Sequence, residues 1–518
     1  MMKKVFFAMT AALASIGAMA QSSYDAYNIA SSDLNGTARY VGMGGALSAL
    51  GGDISVMGSN PAGTALFRKN DIAFTLSGVF GDDGVLNHDG SRASIDNAGA
   101  VIVWDVDDGN LRNVNFGLNY SKSKNFLSNL RTGIDNIQGL SQTAQIADMV
   151  MNCDYSFGLN DLDSWGSLPY LATNLLDGEY TASLIDIVDN YETDKDGNCV
   201  LDENGYPVYQ GTSYYWSPAQ SGHFLKSQWG STAQTDINIS FNVLDKYFFG
   251  ASLGVYNINY HRESMYSETG TYGNAYDIYN YYDTRGDGVD LKFGFICRPI
   301  EDSPFRFGID VHTPTWYSME DARGASIDYY IDGYQYSNHE YNTPFEYNYR
   351  TPWKFCLSLG YTVDNYFAVG AEYEYSDMST AKFNTYGDYY NDYYYTQNEY
   401  IKDNLKGQST LKLGMEVKPV PAISIRAGYN YVSSPFRNEA YNTLYYSDDF
   451  TETDYTNWKD THRFTLGLGY RYKGGYIDLA YQYQSQKGDF YAFDEVNLTP
   501  TSIDNNRSQL MCTFGFRF

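Results

Sequence analysis

The run Glu192-x-Asp194-x-Asp196-Gly197, followed by Glu203, has the residue types of a calcium loop. It offers carboxylates at alternate positions, a glycine for the sharp turn and a distant glutamate to complete the oxygen shell. Its first position is Glu, no helices are expected to flank it, and DKDGN and DENG are also ordinary turn sequences. Asp194, Asp196 and Glu203 are therefore a calcium candidate set against a plain turn, and no other metal site is expected. The histidines (His88, His223, His261, His312, His339, His462) lie mostly in expected loops, with none spaced as a metal pair. No GxSxG elbow or nucleophile–base pattern is present, so no catalytic residue is assigned and the chain is not expected to be an enzyme. No histidine or tyrosine can be assigned as a haem ligand, and no cofactor is expected. The cysteines (Cys153, Cys199, Cys297, Cys356, Cys512) form neither a disulfide framework nor a zinc pattern. Cys153 and Cys199 share one long loop, as a pair or as free thiols.

The elements around these residues are strands. In the final stretch, Leu510, Cys512, Phe514, Phe516 and Phe518 share one phase, and Met511, Thr513, Gly515 and Arg517 the other. A period of two is a strand. Leu411–Val417 and Ile423–Tyr431 form a second example, joined by residues 418–422; Phe464–Tyr472 and Ile477–Tyr483 a third, joined by 473–475. The same grammar recurs upstream in Phe355–Val363 with Phe367–Tyr375, Val289–Cys297 with Phe305–Val311, Ile237–Val243 with Phe249–Val255, and Val101–Val103 with Val114–Tyr120. A strand near Ile72–Phe80 begins the set.

Two features say what these strands face. Their charges keep to one phase: Asp290, Lys292, Arg306, Asp310, Glu372, Glu374, Lys412, Glu416, Arg426, Arg471, Asp478 and Arg517. The other phase is apolar or aromatic. A charge turned to lipid at mid-depth costs roughly 2–4 kcal/mol, so a lipid-facing phase must be free of charge. The connections also alternate. Short ones (244–246, 298–304, 364–366, 418–422, 473–475) interleave with long ones (81–97, 122–235, 258–288, 312–353, 376–409, 432–462, 484–508). A soluble β-sandwich alternates too, but it does not sort its loops by length. The expected fold is a closed antiparallel transmembrane β-barrel of about 14 strands, with short periplasmic turns and long extracellular loops. Tyr361, Tyr373, Tyr375, Tyr429, Tyr431, Tyr481 and Tyr483 would belong to its aromatic girdle.

The compartment follows. Lys3 and Lys4, the apolar run 5–18 and Ala18-Met19-Ala20 read as a signal peptide, residues 1–20, cleaved before Gln21. Beyond it there is no apolar run of about 18 residues for a spanning helix. The balance of 35 basic against 62 acidic residues, −27 net, argues against nucleic acid. The expected location is the outer membrane of a Gram-negative cell.

Residues 21–70 do not alternate. They contain Arg39-Tyr40-x-Gly42-Met43-Gly44-Gly45-Ala46 and Asn60-Pro61-Ala62-Gly63, with a helical patch expected near Gly44–Leu50. A compact Gly-rich piece ahead of a barrel (residues 71–518) could fill its lumen. Both motifs resemble the N-terminal plug of the FadL/TodX family of outer-membrane channels for hydrophobic molecules. The resemblance covers the plug motifs and the strand count; the loops look unrelated. It implies passive uptake of fatty acids or aromatic hydrocarbons. It also implies release sideways through a wall gap made by an inward kink in the third strand. Carried onto this chain, Asn60, Pro61 and Ala62, with Gly63, Arg39, Gly42, Gly44 and Gly45, would be plug and gate residues. Gly117, in Asn113–Tyr120, would be the kink. Asn60-Pro61 read without the resemblance is a turn before the first strand.

The expected partners are outer-membrane lipid, lipopolysaccharide and a hydrophobic small molecule. The Phe518-terminated strand also resembles the signature read by the barrel-assembly machinery. Two alternatives stay open: a related component of a secretion or surface-attachment system, and a barrel phospholipase whose Ser and His meet only in space.

Overall fold

A computed structural model describes residues 21–80, 93–152, 171–176, 179–195, 198–203, 205–300, 303–331, 333–341, 344–385, 394–440, 451–495 and 497–518. The signal peptide, Cys153, Asp196 and His88 lie outside them.

Alternating side chains and short turns close the chain into a 14-strand antiparallel barrel. In order the strands are Asp71–Phe80, Ala93–Asp108, Leu111–Asn125 continued by Ser128–Gly133, Ala219–Val243, Tyr247–Gly270, Ala275–Cys297, Arg306–His312 continued by Trp316–Ile331, Phe345–Arg350 continued by Lys354–Val363, Phe367–Asp377 continued by Lys382–Thr385, Gly407–Val420, Ile423–Val432, Tyr455–Tyr472, Gly475–Tyr491, and Thr501–Asp504 continued by Arg507–Arg517. The last strand pairs with the first from Asp71↔Arg517 to Phe80↔Ser508, which leaves no open edge at the seam. Phe518 continues this anchoring, its N–H donating to the Asn70 carbonyl at 3.1 Å.

The two strand phases part as lipid requires. Leu411, Leu413 and Met415 are exposed, while Thr410, Lys412 and Glu416 on the other phase are buried. Ile72, Phe74, Phe293, Leu357, Leu466, Phe514 and Phe516 continue this apolar exterior around the barrel. So wide an apolar surface fits the interior of a bilayer and not water. No helix among the described residues is long and apolar enough to cross a membrane.

Most of the inward charges are paired. Arg426, fully buried, places Nε 2.6 Å from Glu416 Oε2 and Nη1 2.6 Å from Asp478 Oδ1. Lys292 Nζ stands 2.8 Å from both Asp236 Oδ1 and Asp290 Oδ1. These groups hold charge inside because opposite charges and hydrogen bonds replace the water they gave up.

Several stretches expected as long loops are strand. The fifth and sixth strands run on to Gly270 and from Ala275, so most of 258–288 is an extended hairpin. Much of 312–353 is likewise paired. Beyond the bilayer the outward phase no longer has to be apolar: Asn257 and Asn259 face out while Tyr256, Ile258 and Tyr260 face in. Period two persists there, but the charge-free phase that marked the strands does not.

Part of 122–235 folds back into this extended mouth. Ile134, Ile137, Ile146, Leu171 and Leu184 pack with Phe224, Tyr266, Phe490 and Phe493 into an apolar cap. The cap is tied to the wall through Glu268. Its carboxylate accepts from Tyr266 (2.7 Å), Tyr276 (2.9 Å), the Gln142 N–H (3.1 Å) and the Ser141 hydroxyl. Burial outweighs these bonds and pushes the Glu268 carboxyl above its ordinary value.

Candidate functional site: the plugged lumen

Residues ahead of Asp71 lie inside the barrel as two short helices, Ser23–Ala30 and Ala38–Gly42, and two single-turn helices, Ile54–Gly58 and Pro61–Leu66. Ser22 caps the first helix through a reciprocal pair with Asp25. Tyr349 fixes that helix by donating to the Ala26 carbonyl at 2.7 Å. The second helix lies upstream of the patch expected at Gly44–Leu50. Gly44 (φ +62°) and Gly45 (φ +82°) take the left-handed conformation and end it.

The segment 42–50 rests directly on the wall, by its backbone at three glycines and mainly by the Leu50 side chain at a fourth. Gly360, Gly370, Gly414 and Gly428 are cross-strand partners on four adjacent strands, Gly360↔Gly370↔Gly414↔Gly428. The inward position of each, where a Cβ would stand, is filled by plug atoms: Ala49 and Leu50, the Ala46 carbonyl, the Met43 carbonyl, and the Met43–Gly44 peptide. Gly42 meets Gly467 of the next strand in the same way. Arg39 ties this seat to the wall. Its Nη1 donates to the Gly52 carbonyl (2.8 Å) and stands 3.7 Å from Asp53 Oδ2, and its Nε is 3.5 Å from Glu416 Oε2.

Asn60 caps the helix that follows, Oδ1 accepting from the Ala62 N–H at 3.0 Å. It also touches the wall, Nδ2 donating to the Ile309 carbonyl at 3.4 Å. Pro61 and Ala62 lie over Gly250 and Gly294, while Gly63 packs within the plug against Gly51 and Val56. The turn thus has both a capping and a wall contact. The turn meets several strands: Asn60 reaches the sixth and seventh, Pro61 and Ala62 the fifth, and Thr64 just beyond them the third, its carbonyl accepting from Asn115 Nδ2 at 2.7 Å. The third strand passes Gly117 in register with both neighbours, Val101 and Asn238, and its register shifts fall at 111–113 and 122–124. Gly117 makes room for the plug instead, its inward side filled by Met57.

The wall ladder is interrupted elsewhere. The seventh strand breaks at Thr313-Pro314-Thr315 and the eighth, opposite, at Thr351-Pro352-Trp353. Proline has no N–H to give a ladder. Here the two strands are joined partly by a side chain: the Thr315 N–H donates to Thr351 Oγ1 (2.8 Å) and the Thr351 N–H to the Thr315 carbonyl (3.1 Å). In the ninth strand Met378–Thr380 is a helical turn at the same level. Trp316 and Trp353 flank the interruption on the outside. On the inside, His312 Nε2 meets the Ser59 carbonyl at 2.8 Å, next to Asn60.

Above the plug, between it and the helix Ser23–Ala30, lies a cavity of about 190 Å³. Thr313, Thr315, Thr351 and Pro352 line it at the wall interruption, with Asp290, Lys292, Asp310, Glu372, Glu374, Lys412 and Lys354. A second cavity of about 150 Å³ lies beside the same helix, where Arg507 (2.9 Å) and Arg463 (3.6 Å) hold Asp33. Sequence alone marked Asp290, Asp310, Glu372, Glu374 and Lys412 as inward, but not as neighbours, because that depends on the stagger of five strands.

The calcium candidate is placed only in part. Asp194 accepts from the Asn198 N–H (2.9 Å) and so closes a turn; Glu203 is exposed in the next turn. Among the described residues no group of three or more metal-ligating side chains is poised for an ion. Cys199 is exposed, and His312 and His462 face the Ser59 carbonyl and the Tyr429 hydroxyl (2.8 Å), not a serine hydroxyl.

Lipophilic exterior, paired polar interior and seated plug together define a plugged, membrane-spanning β-barrel. No protein-family model and no curated protein matches the chain. Among solved structures it is similar to the Pseudomonas putida toluene transporter TodX, at 13% identity and TM-score 0.48, over 94% of this chain and 99% of that one. It is similar too to a Pseudomonas aeruginosa FadL homologue (13%, TM-score 0.49) and to the CymD monoaromatic hydrocarbon channel (10%, TM-score 0.49), each again over 94% of this chain and 99% of the other.

Proposed function

We propose that the protein is an outer-membrane channel for passive uptake of small hydrophobic molecules, fatty acids or aromatic hydrocarbons. One observation carries the reading: the segment 42–50 sits directly on a row of wall glycines at the short-turn end, below an internal cavity. A barrel built this way does not pass solutes straight through as a water-filled porin does. The cargo class comes with the resemblance of Arg39–Ala46 and Asn60–Gly63 to the plug motifs. An apolar molecule gains about 0.8 kcal/mol per CH₂ on leaving water, so an exit into lipid spares it a return to water.

The lateral exit belongs to this reading. The interruption at Thr313–Thr315 and Thr351–Trp353 is its best-supported place: it lines the cavity, and its ladder is broken by a proline on each strand. Ser59 and Asn60 touch the seventh strand just before it, so the plug turn could sense or brace this wall. Cells carrying the protein should take up labelled toluene or decanoate several-fold faster than cells lacking it. A Thr315→Cys/Thr351→Cys disulfide should stop this uptake until reduced. Equal uptake with and without the protein refutes the channel; undiminished uptake through the locked barrel refutes the exit at this wall.

A further inference from the structure

We propose that the cavity above the plug is a binding site for a small organic cation, a primary ammonium on a short apolar body, held by Asp310 and Glu372. The inference rests on the channel reading and adds a second class of cargo to it. Both carboxylates are nine-tenths buried or more, at 4% and 3% exposed, and both line the cavity. Each has only one oxygen engaged. Asp310 Oδ2 stands 3.2 Å from His312 Nε2, and Glu372 Oε1 accepts from Lys412 at 2.6 Å. Asp310 Oδ1 and Glu372 Oε2 have no partner.

Ionised carboxylate oxygens only accept, so the group that completes this pair must donate. A cation does so best, because a charge-assisted bond in a buried site is the strong kind. The protein's own nearby cations are spent. Lys412 is divided between Glu372 and Glu374 (3.1 Å), and Lys292 between Asp236 and Asp290. Glu372 and Glu374 thus share the single ammonium of Lys412, and Asp310 has only the imidazole of His312 beside it. Of the other lining cations, Lys122 stands 3.8 Å from Asp96 and Arg463 3.6 Å from Asp33, which leaves Lys354 as the place for an anionic ligand. Ile29, Tyr317, Met378 and Val432 supply an apolar side for the body of the ligand.

The test is titration of the full barrel in lipid nanodiscs with hexylammonium, hexanol and hexanoate, against empty nanodiscs to remove membrane partitioning. Hexylammonium should bind at least tenfold more tightly than either of the others. Asp310→Asn, which leaves the Lys412 pairs untouched, should lower its affinity about tenfold, the worth of one charge-assisted bond, and leave hexanol unchanged. Glu372→Gln provides a second reading, with the folded state checked by the mobility shift of the unheated barrel on denaturing gels. Hexanoate binding as tightly as hexylammonium, or Asp310→Asn without effect in a folded barrel, overturns the assignment. Failure of all three ligands overturns it too, and toluene uptake then decides separately whether the channel reading survives.

Discussion

Adding one methyl group to the wall should unseat the plug. At Gly428 a Cβ would stand 2.6 Å from the Met43 carbonyl carbon, where ordinary contact begins near 3.4 Å. The Gly44 nitrogen would be nearer still, at 2.2 Å, so the plug backbone would have to retreat by about 1.2 Å. At Gly414 the same carbon would be 2.9 Å away, and the Met43 oxygen closer still. These obstacles are main chain, so no side-chain rotation relieves them. Over-packing of this kind costs about 1–3 kcal/mol per site. Taking about 2 kcal/mol, each alanine should shift the seated-to-unseated ratio of the plug roughly thirtyfold. Both positions have ordinary strand backbone, so alanine should not harm the barrel. Gly414→Ala/Gly428→Ala should therefore insert normally and show the usual unheated gel mobility. It should also conduct small ions in planar bilayers far more often than the parent and expose residues 31–67 to protease. Gly78→Ala, whose Cβ would meet nothing nearer than Phe80 at 3.6 Å, is the control. A double variant as silent in bilayers and as protease-resistant as the parent would refute the idea that the glycine row seats the plug.

Three further outcomes are expected. Arg426→Met strands Glu416 and Asp478 in a buried site and should cost about 3–5 kcal/mol in urea unfolding of the detergent-solubilised barrel, with partial recovery when Glu416→Gln and Asp478→Asn are added. Glu268 has a raised folded pKa, so its contribution to the cap is fully present below pH 4.5 and declines as pH rises past its ordinary value through the folded one. Protease cleavage within 171–216 should accordingly increase from pH 4 to pH 7, and Glu268→Gln should flatten that dependence. Removal of Phe518 should lower the fraction of heat-modifiable, membrane-inserted barrel several-fold in cells, measured on gels of outer-membrane fractions.

What the sequence reveals and conceals follows the solvent each residue faces. Inside the bilayer the rule is severe, and Leu411, Leu413 and Met415 against Lys412 and Glu416 can be read by eye. Past the membrane edge the rule lapses, and Asn257 and Asn259 make a strand look like a loop. The plug motif is visible in Gly42–Ala46, but its seat is spread over four strands. One signal for it does exist. Gly360 and Gly370 lie five residues on either side of Asn365, and Gly414 and Gly428 seven on either side of Pro421. Residues equidistant from the centre of a tight hairpin become cross-strand partners, as both pairs do. Paired glycines there leave the same face of two strands bare, a poor choice for a strand interior unless something must come close. Gly117 could not be read in this way. Its partners are Val101 and Asn238, so no mirrored glycine separated a close approach from a kink, and the resemblance favoured the kink. The unpartnered oxygens of Asp310 and Glu372 were further still from view, because they depend on which of two oxygens His312 and Lys412 happen to take.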